Sequence, residues 1–141
     1  ISRRRCSRGW SEVIRVARLD HLVLTVASIE ASIRFYQGVL GMEEITFAAG
    51  RKALRFGRQQ INLHEAGRTF EPKAIRPTPG SADLCFIVET PLADIAAHLA
   101  ASGVAIELGP VPREGASGAF TSLYLRDPDG NLVELSVIDP A

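Results

Sequence analysis

"HLVLTVASIEASIRFYQGVLGM", residues 21–42, aligns without a gap on "DLCFIVETPLADIAAHLAASGV", residues 83–104, at an offset of 62. Each stretch opens with alternating apolar residues, which is the pattern of a strand with one buried face. Apolar residues at helical spacing follow, and each stretch reaches a glycine, Gly41 or Gly103. The repeat therefore predicts two copies of a strand followed by a helix.

The ends of both predicted helices carry recognisable signals. Ser28 and Thr90 are predicted N-caps, because a hydroxyl there accepts a bond from a free backbone N–H, and Pro91 suits a first helical position. Gly41 and Gly103 are predicted to end the helices in a left-handed conformation.

Three further strands are predicted after each helix, so that each half of the chain is a βαβββ module. The predicted strands are 43–48, 52–56 and 60–65 in the first half, and 104–108, 120–126 and 132–138 in the second. The predicted organisation is a flexible leader at 1–18, a first module at 19–65, a Pro-rich linker at 66–81 and a second module at 82–139. The predicted fold is α+β, with the two βαβββ modules forming a curved, mostly antiparallel sheet.

Composition argues against several classes of partner. The 16 basic and 16 acidic side chains of the 141 residues cancel, so neither nucleic acid nor a membrane surface is expected as the main partner. Cys6 and Cys85 are the only cysteines, and a disulfide between a basic leader and an apolar strand is not expected. A reducing, cytoplasmic location is therefore expected.

Four polar residues stand at paired positions of the repeat. His21 aligns with Asp83 at the start of the first strand of each half. An offset of 70 for the last strands, allowing for a longer loop "GPVPREGASGA" in the second half, places His64 on Glu134. Two modules related by a pseudo-twofold axis are expected to bring these side chains together. Two imidazoles and carboxylates suit a divalent ion such as Zn, Ni, Co, Mn or Fe(II).

The paired modules, the stretch "LDHLVLTVASIEASIRFYQGVLGM" and the hairpin "LRDPDGNLVEL" resemble the vicinal oxygen chelate superfamily. This superfamily includes glyoxalase I, fosfomycin- and bleomycin-resistance proteins and extradiol dioxygenases, and the resemblance covers residues 19–138. The stretches "RKALRFGRQQINLHEAG" and "GPVPREGASG" are most similar to small glyoxalase-domain proteins, including those of virulence-protein type.

The resemblance implies a metal site and a reaction. Its metal positions fall on His21, His64, Asp83 and Glu134, and Asp83 stands where the family usually has histidine, so that it would act directly or through water. The implied activity is that of a lyase or isomerase like lactoylglutathione lyase, with an enediolate-type intermediate. Glu134 is the implied base. The substrate is expected to be a small molecule that chelates the metal through neighbouring oxygens.

Other functions remain open at this point. The alternatives are a dioxygenase-like Fe(II) enzyme and a non-catalytic small-molecule binding or resistance protein. Arg113, in the Gly-rich loop, is a candidate for binding an anionic substrate or is merely solvated. The resemblance also implies a homodimer, in which each site takes His21 and His64 from one subunit and Asp83 and Glu134 from the other.

Overall fold

The computed structural model describes residues 13–140, so most of the predicted leader lies outside the described residues. Within these residues, each half contains four strands and one helix in the predicted order. Module 1 contains β1 (His21–Val26), α1 (Ile29–Gly38), β2 (Glu43–Phe47), β3 (Arg51–Phe56) and β4 (Gln59–Glu65). Module 2 contains β5 (Asp83–Ile87), α2 (Leu92–Ala101), β6 (Leu108–Gly115), β7 (Gly118–Arg126) and β8 (Leu132–Ile138).

Each module forms its own four-stranded sheet. The strand orders are β1-β4-β3-β2 and β5-β8-β7-β6. In both sheets the first strand pairs in parallel with the last, and the other two pairings are antiparallel. The predicted α+β fold of two mostly antiparallel βαβββ modules is confirmed.

Both modules pack their apolar sheet faces and their helices into one core. Leu24 and Leu63 from module 1 lie in the same buried cluster as Leu99 and Leu135 from module 2. Alternating side chains of each strand point to opposite faces, so the intervening residues lie on the sheet face away from this core. That second face of each sheet is called the open face below.

The interface between the modules also contains a buried polar contact. Tyr36 of α1 is fully buried and donates a hydrogen bond of 2.7 Å to Asp127 in the β7–β8 turn. Asn131 donates to the same carboxylate oxygen at 2.8 Å. Burial first, and then Asp127, raise the pKa of the Tyr36 hydroxyl. The helix of one module is thereby held against the turn of the other.

The two helices begin differently, which corrects one prediction. Ser28 caps α1 as predicted, since its hydroxyl accepts a bond of 3.1 Å from the N–H of Ala31. In module 2 the N-cap is Pro91, not Thr90, and no side chain caps the helix. Pro91 has an extended ψ of 142°, so the first helical residue is Leu92. Gly41 and Gly103 both adopt a φ of 71°, as predicted for residues that end a helix.

The largest difference from the predicted elements is at β6. This strand covers Leu108–Gly115 instead of 104–108, and most of the predicted loop forms a hairpin with β7. The sequence pattern did not predict this strand, because Pro110 and Pro112 argue against a strand assignment. They are tolerated because β6 lies at the edge of its sheet, where a missing N–H breaks no ladder inside the sheet.

Within residues 13–140, neither helix has the length and the apolar character needed to cross a membrane.

Candidate functional site

The strand register corrects the alignment of the two halves. In module 1, Val23 of β1 pairs with Asn62 of β4, and in module 2, Cys85 of β5 pairs with Glu134 of β8. The residue equivalent to Glu134 is therefore Asn62, and the offset of the last strands is 72, which is 134 minus 62. The predicted offset of 70 is wrong by two residues. A slip of two keeps every side chain on its face, so alternation alone could not reveal it.

Glu134 lies on the open face of module 2 within a network of hydroxyl groups. Its Oε2 accepts a hydrogen bond of 2.6 Å from Ser122 and one of 3.3 Å from Ser136. The two serine hydroxyls are 2.8 Å apart, and Ser136 is also 3.2 Å from the Sγ of Cys85. Ser122 and Ser136 are both fully buried, so they fix the orientation of the carboxylate.

Cys85 extends this network to the outer strand of the sheet. Its thiol is free, and burial raises its pKa, with Glu134 and Asp83 acting in the same direction. The thiol is therefore a neutral neighbour of the carboxylate and not a thiolate nucleophile.

Arg113 lies on β6 and not on a Gly-rich loop as predicted. Its Nε donates a hydrogen bond of 2.9 Å to the hydroxyl of Tyr124, and its guanidinium lies 5.4 Å from the centre of that ring. Tyr124 pairs with Glu134 across β7 and β8, so Arg113 borders the Glu134 network. Its predicted role in binding substrate stays a prediction.

His21, at the start of β1, is oriented by its neighbour in sequence. Its Nδ1 lies 2.9 Å from Oδ2 of Asp20, and nearly half of the imidazole is exposed. A histidine whose Nδ1–H is held by a carboxylate presents Nε2 as a free lone pair, as metal-binding histidines commonly do. Asp83, its counterpart in the repeat, is exposed at the start of β5.

His64 lies in a different environment on the open face of module 1. It is buried, with an exposed fraction of 3%. Its Nε2 lies 3.4 Å from Nη2 of Arg51, and its ring packs edge-on against Phe70 of the linker. Burial first, then the charges of Arg51 and Lys73, lower the pKa of His64. Two neighbouring cations disfavour a metal ion at His64, and its predicted role as a metal ligand stays a prediction.

The four predicted metal-binding residues do not meet within one chain. In the described part of the chain, no three histidine, cysteine, aspartate or glutamate side chains are close enough to hold a metal. His21 and His64 lie on one sheet, and Asp83 and Glu134 lie on the other. Asn62, Ser122 and Ser136 were not predicted from the sequence. An alignment of "RQQINL" with "GNLVEL" would have identified Asn62 as the equivalent of Glu134.

Comparison with known proteins places this geometry in a family. Residues 18–135 match the family described as the glyoxalase/bleomycin resistance protein/dioxygenase superfamily. The chain is 57% identical over 121 residues to virulence protein STM3117 of Salmonella typhimurium, covering 86% of this chain and 84% of that protein. It is 51% identical to the glyoxalase domain-containing protein RDO1 of Mycosarcoma maydis, covering 87% of this chain and 69% of that protein.

Solved structures support the same assignment. The crystal structure of virulence protein STM3117 superposes with a TM-score of 0.88 at 55% identity, covering 89% of this chain and all of that one. The manganese-containing structure of FosX, a fosfomycin resistance protein of Listeria monocytogenes, shares the fold with a TM-score of 0.62 at 20% identity, covering 89% of this chain and 93% of that one. The chain therefore belongs to the glyoxalase/bleomycin resistance protein/dioxygenase superfamily.

Proposed function

We propose that the protein is a metal-dependent lyase or isomerase of glyoxalase type, acting on a small substrate that offers two neighbouring oxygens. The observation that carries this proposal is Glu134, a carboxylate on the open face of module 2 that is oriented by two buried serine hydroxyls. Membership in a superfamily that contains glyoxalases adds support. The expected cytoplasmic location remains a prediction.

The residues on the open faces fit a divalent metal ion if two chains contribute. His21 offers Nε2, because Asp20 holds the other ring nitrogen. Glu134 offers Oε1, since both serine bonds go to Oε2. Asp83 supplies a second carboxylate, directly or through water, and Asn62 takes the position equivalent to Glu134. Imidazole with carboxylate and amide oxygens is a donor set suited to zinc and to manganese or iron(II).

Glu134 is the proposed general base. A bound metal would polarise the chelating oxygens of the substrate and thereby acidify the neighbouring C–H bond. The Glu134 carboxylate then accepts that proton and returns it to the adjacent carbon, which isomerises the substrate. Ser122 and Ser136 hold Oε2, which leaves Oε1 to serve as a metal donor before the substrate binds and as the proton acceptor afterwards. Arg113, next to Tyr124, is proposed to meet a negatively charged part of the substrate.

A twofold homodimer would complete each site. In one chain, β1 and β5 each have a single strand partner among the described residues. Each of these strands also exposes an apolar side chain on its open face, since Val23 is 46% and Ile87 44% exposed. Placing the open face of module 1 against that of module 2 in a second chain would bury these side chains. It would also bring His21 towards the partner subunit's Glu134, twice in each dimer.

Metal analysis of the full chain, purified without chelators, tests the metal site directly. We expect about one divalent ion per chain, and we expect His21→Ala and Glu134→Ala to lose it. His98→Ala and Glu114→Ala are the matched controls. His98 lies on α2 and Glu114 on the edge strand β6, and both variants should keep the metal. If the wild-type chain stays metal-free after incubation with Mn, Fe(II), Ni, Co and Zn, both the glyoxalase-type and the dioxygenase-like hypotheses are excluded. A non-catalytic binding protein would then be favoured.

Mixing two inactive variants tests the assembly. His21→Ala and Glu134→Ala are unfolded and refolded together, so that about half of the dimers are mixed. A mixed dimer has one site with both lesions and one with neither. Metal content and turnover should therefore return to roughly a quarter of wild type. No recovery despite the formation of mixed dimers, or a monomer in solution, would refute the shared site.

A further inference from the structure

A cavity of about 890 Å³ lies between the two modules and reaches their shared core. Its wall contains Met42 from module 1 and Ile95, Leu99 and Leu135 from module 2, which all belong to the buried apolar cluster. Protein interiors are close-packed, so a space of this size beside core residues calls for an occupant. The volume lies within the range of small-molecule sites, which occur preferentially between structural units.

Two phenylalanines form an aromatic corner in the wall of this cavity. Phe56, at the end of β3, and Phe86 of β5 line the cavity from opposite modules. Their ring centres are 5.3 Å apart and the rings are nearly perpendicular, at 87°. Both side chains are only partly buried, so a further ring can pack against them. The wall therefore favours an aromatic ligand.

His98 of α2 gives the cavity one directed polar group. Its Nε2 lies 2.8 Å from the carbonyl oxygen of Val39, and both residues line the cavity. A carbonyl only accepts hydrogen bonds, so Nε2 carries the ring proton, and in the neutral imidazole Nδ1 is then an acceptor. Within residues 13–140, Nδ1 has no hydrogen-bond partner. It is available to an O–H or N–H group of a ligand.

The charged side chains that line the cavity cancel. Arg18 and Arg58 are positive, Glu89 and Asp94 are negative, and all four are exposed. A ligand with a net charge would be attracted by one pair and repelled by the other. It would also lose its hydration on entering the apolar part of the cavity, which is costly. The cavity is therefore suited to an uncharged ligand.

We propose that this cavity binds an uncharged aromatic compound with one hydroxyl or N–H group, of the phenol, naphthol or indole type. The ring packs against Phe56 and Phe86, and the polar group donates a hydrogen bond to Nδ1 of His98. Burial of the apolar ring supplies most of the affinity. The single hydrogen bond fixes the orientation of the ring and selects for a donor.

This site goes beyond the proposed function. The cavity is lined by none of the four predicted metal-binding residues, His21, His64, Asp83 and Glu134. Leu135 lines it from the core side of β8, whereas the neighbouring Glu134 points to the open face. Binding of the aromatic compound therefore requires neither metal nor turnover, and either proposal can fail while the other holds.

NMR of the methionine methyl group tests the proposal, because Met42 is the one methionine of the chain and lines the cavity. The full chain, labelled with carbon-13 at this methyl group, is titrated with 2-naphthol at a pH of about 8, where imidazole is neutral. We expect a saturable shift with a Kd on the order of 0.1 mM, with and without a chelator.

Two relatives of the probe test the hydrogen bond and the charge. 2-Methoxynaphthalene should bind about fivefold more weakly than 2-naphthol, because it has no O–H group to donate to His98. His98→Ala should lose this preference. 2-Naphthoate should bind about tenfold more weakly or not at all, because its carboxylate is charged.

A cavity-filling variant and a matched control show where the probe binds. Gly38 lines the cavity in the last turn of α1, and a Cβ added there would meet no atom within 4 Å. Gly38→Phe should therefore fold and weaken naphthol binding about tenfold or more, since its ring takes up part of the space. Ala97→Phe, on the exposed side of α2, should bind naphthol like wild type. Glu134→Ala should also bind it like wild type.

Several results would overturn the proposal. The absence of a saturable shift at Met42, or unchanged binding by Gly38→Phe, would show that the probe does not occupy this cavity. Tighter binding of naphthoate than of naphthol would contradict an uncharged ligand. A full preference for naphthol in His98→Ala would remove the hydrogen bond. Loss of binding with the chelator or in Glu134→Ala would mean that the site is not separate from the metal site.

Discussion

Module 1 presents Arg51, His64 and a lysine of the linker on its open face, whereas module 2 presents Glu134 among serine hydroxyls. The two faces lie on sheets with the same strand order and the same pairings. The opposite faces of those sheets share one apolar core. The shared core restricts one face of each sheet to apolar residues, while the open faces are free to differ in charge.

The largest effect that tests this difference is expected at Glu134. Glu134→Gln keeps the size of the side chain and its bonds to serine but removes the base, so turnover should fall about 10²–10⁴-fold. Metal content should fall less than turnover. The control is Glu114→Gln, on the edge strand of the same module. Once a substrate has been found by screening small hydroxy and oxo acids, equal activity of Glu134→Gln would remove this residue as the base.

A second comparison concerns the contacts that each helix makes with the other module. Tyr36 and His98 are equivalent in the repeat, and His98 Nε2 lies 2.8 Å from the carbonyl of Val39. Tyr36 is buried on a charged partner and His98 is exposed. Tyr36→Phe should therefore lower the free energy of unfolding by about 2 kcal/mol. His98→Ala should change it by less than about 0.5 kcal/mol in the same urea titration. Equal losses of unfolding free energy in the two variants would mean that the buried hydrogen bond of Tyr36 stabilises the fold no more than the exposed contact of His98.

A smaller effect on stability is expected from the two helix N-termini, since α1 has a side-chain cap and α2 has none. Ser28→Ala removes the cap of α1 and should cost about 1 kcal/mol. Thr90→Ala removes an exposed hydroxyl that caps nothing, and its cost should stay within about 0.5 kcal/mol. Thermal unfolding of both variants measures the difference. A cost for Thr90→Ala as large as that for Ser28→Ala would restore Thr90 as a cap in solution.

The smallest effect is expected in the pH dependence of stability. The pKa of His64 is lowered from 6.5 in the folded chain, so the unfolded chain binds this proton first as the pH falls. The contribution of His64 is therefore fully present above about 6.5, and stability is lost as the pH falls from there towards the folded-state pKa. His64→Gln should show a shallower decline than wild type across that window. Parallel curves from urea unfolding at several pH values would contradict the lowered pKa.

The two modules and most of their elements could be predicted from the amino-acid sequence alone. Alternation in β1 and β5, helical spacing in α1 and α2, and the glycines at 41 and 103 are local signals, and each depends only on nearby residues. The N-cap Ser28 could be predicted because it, too, depends only on nearby residues. The position of Glu134 on an open face followed from alternation alone, because Val133 and Leu135 on either side of it are buried.

Which residues are equivalent in the two modules, and which lie side by side, became clear only from the folded structure. Strand side chains repeat every two residues, so the sequence pattern could not distinguish an offset of 70 from the observed 72. The environment of the His64 side chain depends on the linker, because Phe70 and Lys73 approach it from a segment with no periodic pattern. The edge strand β6 was likewise hidden, because only its place beside β7 allows two prolines in a strand. Register, loop packing and edge position arise from contacts between distant segments, and a local pattern carries no record of them.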